Sequence, residues 1–384
     1  MSSWRECKLG DVADIIMGQS PTGDTCNANG SGTPLLNGPT EFGIRFPKAV
    51  QFTTSPKKIS NIDDILFCVR GSTTGRMNWS NQHYALGRGL ASIRHKQGHN
   101  YRYFIKALLD FNLPVILASA TGSTFPNVSR EQLENLEISL PPLNEQKAIA
   151  EVLSSLDDKI DLLHRQNQTL EELAQTLFRQ WFIEEAKEEW EIGKLGDYIE
   201  IVDNRGKTPP ISDDVTDYPI IEVNALSGES RLINYSVIKK YVTEDTYNSW
   251  FRAGHPKLYD TLLSTVGSIG EIAMFLLEKG SIAQNVVALR AKNISPFYLY
   301  ENIKFMQAEL KELDIGSVQP SIKVTHLAKI DFIKPDDEIL QKFDEQMIDI
   351  SNKIIVNSQQ IQTLENIRDT LLPKLLSGEL VVSE

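Results

Sequence analysis

Between residues 143 and 182, apolar side chains fall at Ile149, Leu153, Leu156, Ile160, Leu163, Leu170, Ala174, Leu177 and Trp181, with Asn167 filling the one gap. Such an unbroken 4-3 spacing marks a coiled-coil seam rather than one face of a globular helix. The spacing returns at Phe343, Met347, Ile350, Ile354, Asn357, Ile361, Leu364, Arg368, Leu371 and Leu375. Each stretch predicts a helix of about 40 residues, roughly 60 Å long. A parallel, in-register pair would face Asn167 with Ile361. An antiparallel pair opposing 149 with 375, 160 with 364 and 181 with 343 aligns every seam residue and faces Asn167 with Asn357. A buried amide needs a hydrogen-bonding partner, and a seam Asn is a register device, so the antiparallel pair is expected. Leu156 then opposes Arg368, whose head should lift into water. The competing reading, two unrelated amphipathic helices each packed on its own domain, leaves the shared register without a cause.

The remainder of the chain is duplicated too. WRECKLGD (4–11) returns as WEIGKLGD (190–197), and DILFCVRGSTTG (64–75) as DTLLSTVGSIG (260–270). TGSTFPNVSREQLENLEISLPP (121–142) has its counterpart in IGSVQPSIKVTHLAKIDFIKPD (315–336). Between these anchors, 12–63 and 198–259 share little beyond Pro/Gly-rich turn composition. Residues 9–18 and 195–204 predict a short turn feeding a strand, and 18–38 and 205–217 predict loops. Apolar runs at 65–69 and 262–266 predict strands ending in Gly turns, and 101–111 and 296–311 predict helices. A last strand at 136–140 and 330–333 is broken by proline before each long helix. The expected fold is α+β: two globular α/β domains (1–141 and 190–335) joined by two long antiparallel coiled-coil helices (142–189 and 336–384), with an internal pseudo-two-fold repeat. By that symmetry the tail LLSGELVV (375–382) should end beside Trp4.

Charge sharpens this picture. The net charge is −12, yet the acid concentrates on the predicted helices, and residues 40–105 hold ten Lys and Arg against three acids. That basic segment can hold phosphates while the rest keeps the chain soluble. No basic-then-apolar leader and no apolar run near 18 residues appears, so neither export nor membrane spanning is expected. Cys7, Cys26 and Cys68 lack CxxC spacing and fit reduced cytoplasmic thiols. There is no GxxxxGK[ST] phosphate loop and no Gly-rich methyl-donor box. The six His have no metal spacing, and His95 and His99 read as a solvated or phosphate-facing pair. Asp63-Asp64 and Asp213-Asp214 read as loop or strand-edge acids.

Two variable regions, each opened by a WxxxKLGD box and closed by a box that here stands as TGSTFPNVSREQLENLEISLPPLNEQKAIAEVL, resemble the specificity subunit of type I restriction–modification enzymes. The second copy departs from the pattern, with IKPDDEIL in place of LPPLNEQK, so its first helical turn could start differently. The resemblance spans nearly the whole chain. It implies a non-catalytic subunit whose two target-recognition domains each read one half of a bipartite site in double-stranded DNA, with the helices setting the spacing. It also implies assembly with two methylation subunits, and with restriction subunits where DNA is cut. S-adenosylmethionine, ATP and Mg are then expected on those partners and none in this chain. Two readers on one face of B-DNA need centres roughly 34–36 Å or more apart, within reach of such helices.

For DNA contact, Arg and Lys suit guanine edges and phosphates, Asn and Gln adenine. Candidates in the first domain are Lys57, Lys58, Arg70, Arg76, Asn78, Asn81, Gln82, Arg88 and Lys96. Those in the second are Arg205, Lys207, Thr208, Lys239, Lys240, Arg252, His255 and Lys257. Arg94 and Arg290 occupy equivalent repeat positions, which suggests a framework role. The Gly-Ser turns at 71–75 and 267–270 could offer amides to a phosphate, or be plain turns. Two other readings stay open: a coiled-coil adaptor joining two protein-binding domains without DNA, and a self-contained nuclease or methyltransferase.

Overall fold

The computed structural model describes residues 4–122, 126–206, 208–312 and 321–382. The chain divides into two compact units, Met1–Leu163 with Gln360–Glu384, and His164–Gln359. The division cuts both long helices, so each unit owns half of each.

In the first unit, strands β1 (Ala13–Met17), β2 (Ile65–Cys68), β3 (Met77–Trp79) and β4 (Leu90–His95) form an antiparallel sheet in the order β1-β4-β2-β3. Ile65 faces Ile93 on one side and Trp79 on the other. Strand alternation sends Ile65 and Phe67 into one core and Leu66 and Cys68 into another. A strand buried on both faces therefore reads as the continuous apolar run ILFCV. The first core receives helix α1 (Arg102–Phe111), the start of helix α2 (Leu143–Arg179), and Leu375 and Leu376 from the far end of the chain. A two-stranded clip, Arg5–Lys8 against Glu137–Leu140, closes the unit. Trp4 and Val382 both pack on this core, so both terminal segments meet the same unit.

The second unit repeats the plan. Strands β5 (Ile199–Val202), β6 (Thr261–Ser264), β7 (Ile272–Met274) and β8 (Val286–Ala291) form a sheet in the order β5-β8-β6-β7. Leu263 and Leu289 enter one core, Leu262 and Ala288 the other. Helix α3 (Pro296–Phe305) and helix α4 (Asp337–Leu376) occupy the places of α1 and α2. The helix expected across 296–311 is interrupted at Met306 and resumes as Gln307–Glu312. The clip is Glu191–Lys194 against Asp331–Lys334.

The divergent inserts share more structure than sequence. In each, a short strand runs parallel to one just before the last strand of the sheet: Leu35 with Ala85, and Ile220 with Ser281. The first insert adds the strands Cys26–Asn27 and Gln51–Thr53, and the second the helix Glu244–Trp250.

Along the seam, the first unit gathers Ile149 and Leu153 with Leu371 and Leu375, then Ile160 and Leu163 with Ile361 and Leu364. The second gathers Leu170, Ala174 and Leu177 with Met347, Ile350 and Ile354, and Trp181 meets Phe343 ring to ring at 6.0 Å. This is the antiparallel order in both units. Asn357, fully buried, donates to Asn167 Oδ1 at 2.8 Å, and Asn167 donates to Ser358 at 3.1 Å. Arg368 departs from expectation. Its guanidinium donates to Asp157 at 3.1 Å and pairs with Asp369 instead of lifting free, because Asp157 stands beside the seam to receive it. With Tyr103 and Lys106 these groups line a cavity of about 300 Å³.

The altered second box leaves the helix start unmoved: Leu143 and Asp337 are equivalent positions. What changes is the acid that holds the opening tryptophan. Trp4 donates to Glu145 at 3.1 Å, inside the first turn; Trp190 donates to Asp336 at 3.2 Å, just before it.

Candidate nucleic-acid interface

Each sheet carries one buried carboxylate just before its central strand. Asp64 accepts from Arg94 at 2.7 Å, from the Asn61 amide at 2.7 Å and from Ser92. Asp260 accepts from Arg290 at 2.9 Å and from the Lys257 amide at 2.8 Å. Burial pushes both carboxyl groups up, and these donors pull them back. Arg94 and Arg290 are therefore framework residues, each bonding a carboxylate on the neighbouring strand's edge. The Gly-Ser turns are also framework. Gly71 and Gly270 adopt positive φ, and their amides donate to Pro126 O and Ser264 O.

The exposed polar groups concentrate where the loop after the first strand meets the turn before the last. In the first unit Gly18 and Gly87 touch backbone to backbone: a Cβ on Gly18 would sit 2.1 Å from the Gly87 carbonyl oxygen, so only glycine fits. Beside them the Arg88 amide donates to Ser20 at 3.3 Å, and Lys58 O accepts from the Leu86 amide at 2.9 Å. Lys57, Lys58 and Arg88 are exposed there, and among the described residues none has an ion pair. The equivalent turn of the second unit places Gln284 where Arg88 stands, and Gln284 donates to exposed Thr208 at 2.9 Å. Gln284 is absent from the sequence candidates; the repeat offset linking 64 with 260 and 94 with 290 also links 88 with 284 and could have found it.

Several other candidates have partners within the fold, and some stand exposed elsewhere. Asn78 is buried and donates to Gly43 O at 3.0 Å, so it offers no edge to a base. His255 engages Ser281 Oγ at 2.6 Å and Tyr247 O at 2.9 Å, and stacks on the Tyr247 ring at 3.6 Å. Burial lowers its pKa against a smaller rise from the Tyr247 carbonyl, and both ring nitrogens are occupied. Arg70 donates to Asn127, and Arg76 to the carbonyls of Pro39 and Phe42 while covering the Phe42 ring. Asn81 and Gln82 are exposed and both bond the Tyr84 hydroxyl, at 2.7 and 3.2 Å. Lys96 donates to Gly10 O at 2.5 Å. Arg205 is forked onto Asp203, and Lys240 pairs with Glu222 at 2.6 Å. Lys239, Arg252 and Lys257 are exposed, and Lys207 lies outside the described residues.

His95 also corrects the sequence reading. It is buried, stacks on Tyr101 at 4.7 Å, and bonds Gln146 Oε1 through Nε2 at 3.1 Å, so it is neither solvated nor phosphate-facing. Gln146 in turn donates to Pro141 O at 2.8 Å, holding the first turn of α2 against the sheet. Among the described residues no group of three or more His, Cys, Asp or Glu has an arrangement fit for a metal ion, and no helix is long and apolar enough to cross a membrane.

One sheet, clip and helix plan used twice, carrying loops of different sequence, defines an internally duplicated scaffold. The chain belongs to the type I restriction–modification DNA specificity family, whose domain model matches residues 1–172 and again 187–366. It is 36% identical over 170 residues to the protein assigned as the MjaX specificity subunit of Methanocaldococcus jannaschii, a match spanning 44% of this chain and 40% of the relative. It is 30% identical over 295 residues to the type I restriction enzyme MjaIX specificity subunit of that organism, covering 68% of this chain and 65% of the relative. The match to MjaVIII, at 24%, covers 99% and 93%. In fold, the chain is similar to the crystal structure of the type I restriction–modification S subunit from M. genitalium, with a TM-score of 0.60 at 18% identity over 98% and 96% of the two chains.

Proposed function

We propose that this chain is the non-catalytic DNA-reading subunit of a type I restriction–modification enzyme, each target-recognition domain reading one half of a bipartite site. One observation carries the reading: the exposed cations Lys57, Lys58 and Arg88, and the Gln284–Thr208 pair, stand on loops that differ between the units, on a frame that is repeated. Cations position a reader on phosphates without encoding sequence, while the differing neighbours let each unit prefer its own bases. The long helices set the gap between the halves and dock two methylation subunits, with restriction subunits joining where cleavage follows. S-adenosylmethionine, ATP and Mg act on those partners, in the cytoplasm.

A map of methylated bases in the host genome, with and without this gene, tests the reading. Deletion should erase one motif made of two short specified halves around a fixed gap, and exchanging residues 12–135 should change one half only. An unchanged map, together with duplex binding insensitive to salt, would refute it.

A further inference from the structure

In the second unit a single loop residue joins four elements. Arg231 is fully buried. Its guanidinium donates to Glu171 on α2 at 3.2 and 3.3 Å, to Ser351 on α4 at 2.8 Å, and to Glu301 on α3 at 3.0 Å. Its own amide donates to Glu171 at 2.7 Å, and its carbonyl accepts from Met274 on the edge strand β7 at 2.8 Å. Lys304 bonds the same Glu171 at 3.2 Å, balancing two carboxylates with two cations. The Tyr300 ring covers the guanidinium at 5.6 Å.

An ion network this deep is weak evidence for stability, since well-packed apolar groups do as well. It is strong in geometry, because a planar fork satisfies three partners only in one placement. Base reading demands that placement, as a binding constellation loosens when its supporting shell shifts by about 1 Å. We propose that Arg231 is a positioning residue: it fixes residues 219–242 of the second divergent insert on the long helices, so that this unit discriminates its half-site. This rests on the DNA-reading function above.

The test is the full-length chain carrying both Arg231→Met and Glu301→Leu, which removes one charge of each sign and keeps the Glu171–Lys304 pair. Hydrogen exchange on the purified variant should rise about tenfold across 222–237, with the rates in α2 and α4 unchanged. Placed in the host, it should make one half of the methylated motif degenerate, admitting mismatched sites about tenfold more often, while the other half stays strict. Wild-type exchange in the insert, or equal loss of both halves, overturns the positioning role. If the double variant fails to fold, Arg231→Lys keeps the charge without the fork and is read by the same two measurements, with smaller changes expected in the same places. A wild-type gene that yields no bipartite motif would sink the DNA reading alone, since the exchange result decides the anchoring by itself.

Discussion

The two units meet one requirement, tying a divergent insert to a long helix, with an arginine each and with opposite surroundings. In the first unit Arg45 donates to Asp158 at 2.7 Å and to the Tyr103 hydroxyl at 2.6 Å, while Tyr103 donates to Asp158 at 2.9 Å. This triangle lies at the rim of the core, with the Asp158 side chain 56% exposed, the Arg45 side chain 20% exposed and Tyr103 buried. In the second unit Arg231 is sealed inside the core. The repeat therefore preserved sheets, clips and helix register, while each insert made its own attachment. A half-buried anchor at the rim can be lost at moderate cost, whereas a fully buried one must be kept whole or replaced whole.

Arg231→Ala should give the largest effect. It strands buried Glu301 without its cation, leaves Glu171 with Lys304 alone, and should cost about 3–5 kcal/mol in denaturant unfolding. Arg45→Ala should cost only about 1–2 kcal/mol, mostly from the Tyr103 hydroxyl losing a partner. Similar losses from the two would show that burial does not separate the anchors.

The seam supplies the next contrast. Asn357→Leu leaves the Asn167 amide facing an aliphatic and should cost about 1–2 kcal/mol. Changing both Asn to Leu should recover stability while relaxing register, seen as broadened exchange along the helices. Retained protection in the double variant would mean that register is set elsewhere.

A third contrast lies where α2 and α4 begin. Gln146, which clamps His95, stands where the second unit has the buried Leu340. Gln146→Leu should cost about 1 kcal/mol by leaving the imidazole Nε2 without a partner, while Nδ1 still accepts from the Gln97 amide, and adding His95→Ala should restore most of it.

Acidity divides the units as well. Burial lowers the His95 pKa, against a smaller rise from Gln146. The unfolded chain thus binds more protons near its ordinary value of about 6.5, and this contribution to stability is full above that pH and falls below it. Burial raises Glu301 to about 7 against the pull of Arg231. Its contribution is full below about 4.5 and is lost as pH rises through about 7. Glu301→Gln should remove that second slope and leave the first; a pH–stability curve that keeps both would contradict the assignment. Glu171, although burial pushes it up, is held low by Arg231 and Lys304; Arg231 pulls both carboxyl groups down, and burial together with the Glu171 charge leaves Glu301 the higher of the two.

The smallest structural effect and the cleanest functional one belong to the exposed cations. Lys57→Ala and Lys58→Ala should each leave stability within about 0.5 kcal/mol. A lysine that neutralises one phosphate should, on removal, flatten the slope of log affinity against log salt by about 0.9. An unchanged slope would move the DNA surface off this loop.

Local periodicity carried most of the frame into view. The 4-3 spacing named the seam partners because a one-step slip would expose every one of them, and the Asn pair singled out one alignment. The shared offset of Arg94 and Arg290 marked them as framework before any of their partners was known. Burial of polar groups was not legible. Asn78 and His255 stand in segments rich in polar residues and look like surface groups, and their partners are set by chain crossings that no local pattern records. Arg231 sits in RLINY with no periodic signal, and its side-chain partners lie 60 to 120 residues away. Arg368 misled for a related reason: the spacing showed the seam position but not that Asp157 waits beside it.

The first unit is assembled from both ends of the chain: residues 361–376 supply the seam partners of Ile160 and Leu163 and the floor of the core under Ile149 and Leu153. The second unit is one uninterrupted stretch, His164–Gln359. During synthesis the order of completion is therefore inverted: the half made first must wait, its apolar seam uncovered, until residues 361–376 have emerged, while the half made second can close before them. A chain released after Gln359 would hold every residue of the second unit and an unfinished first.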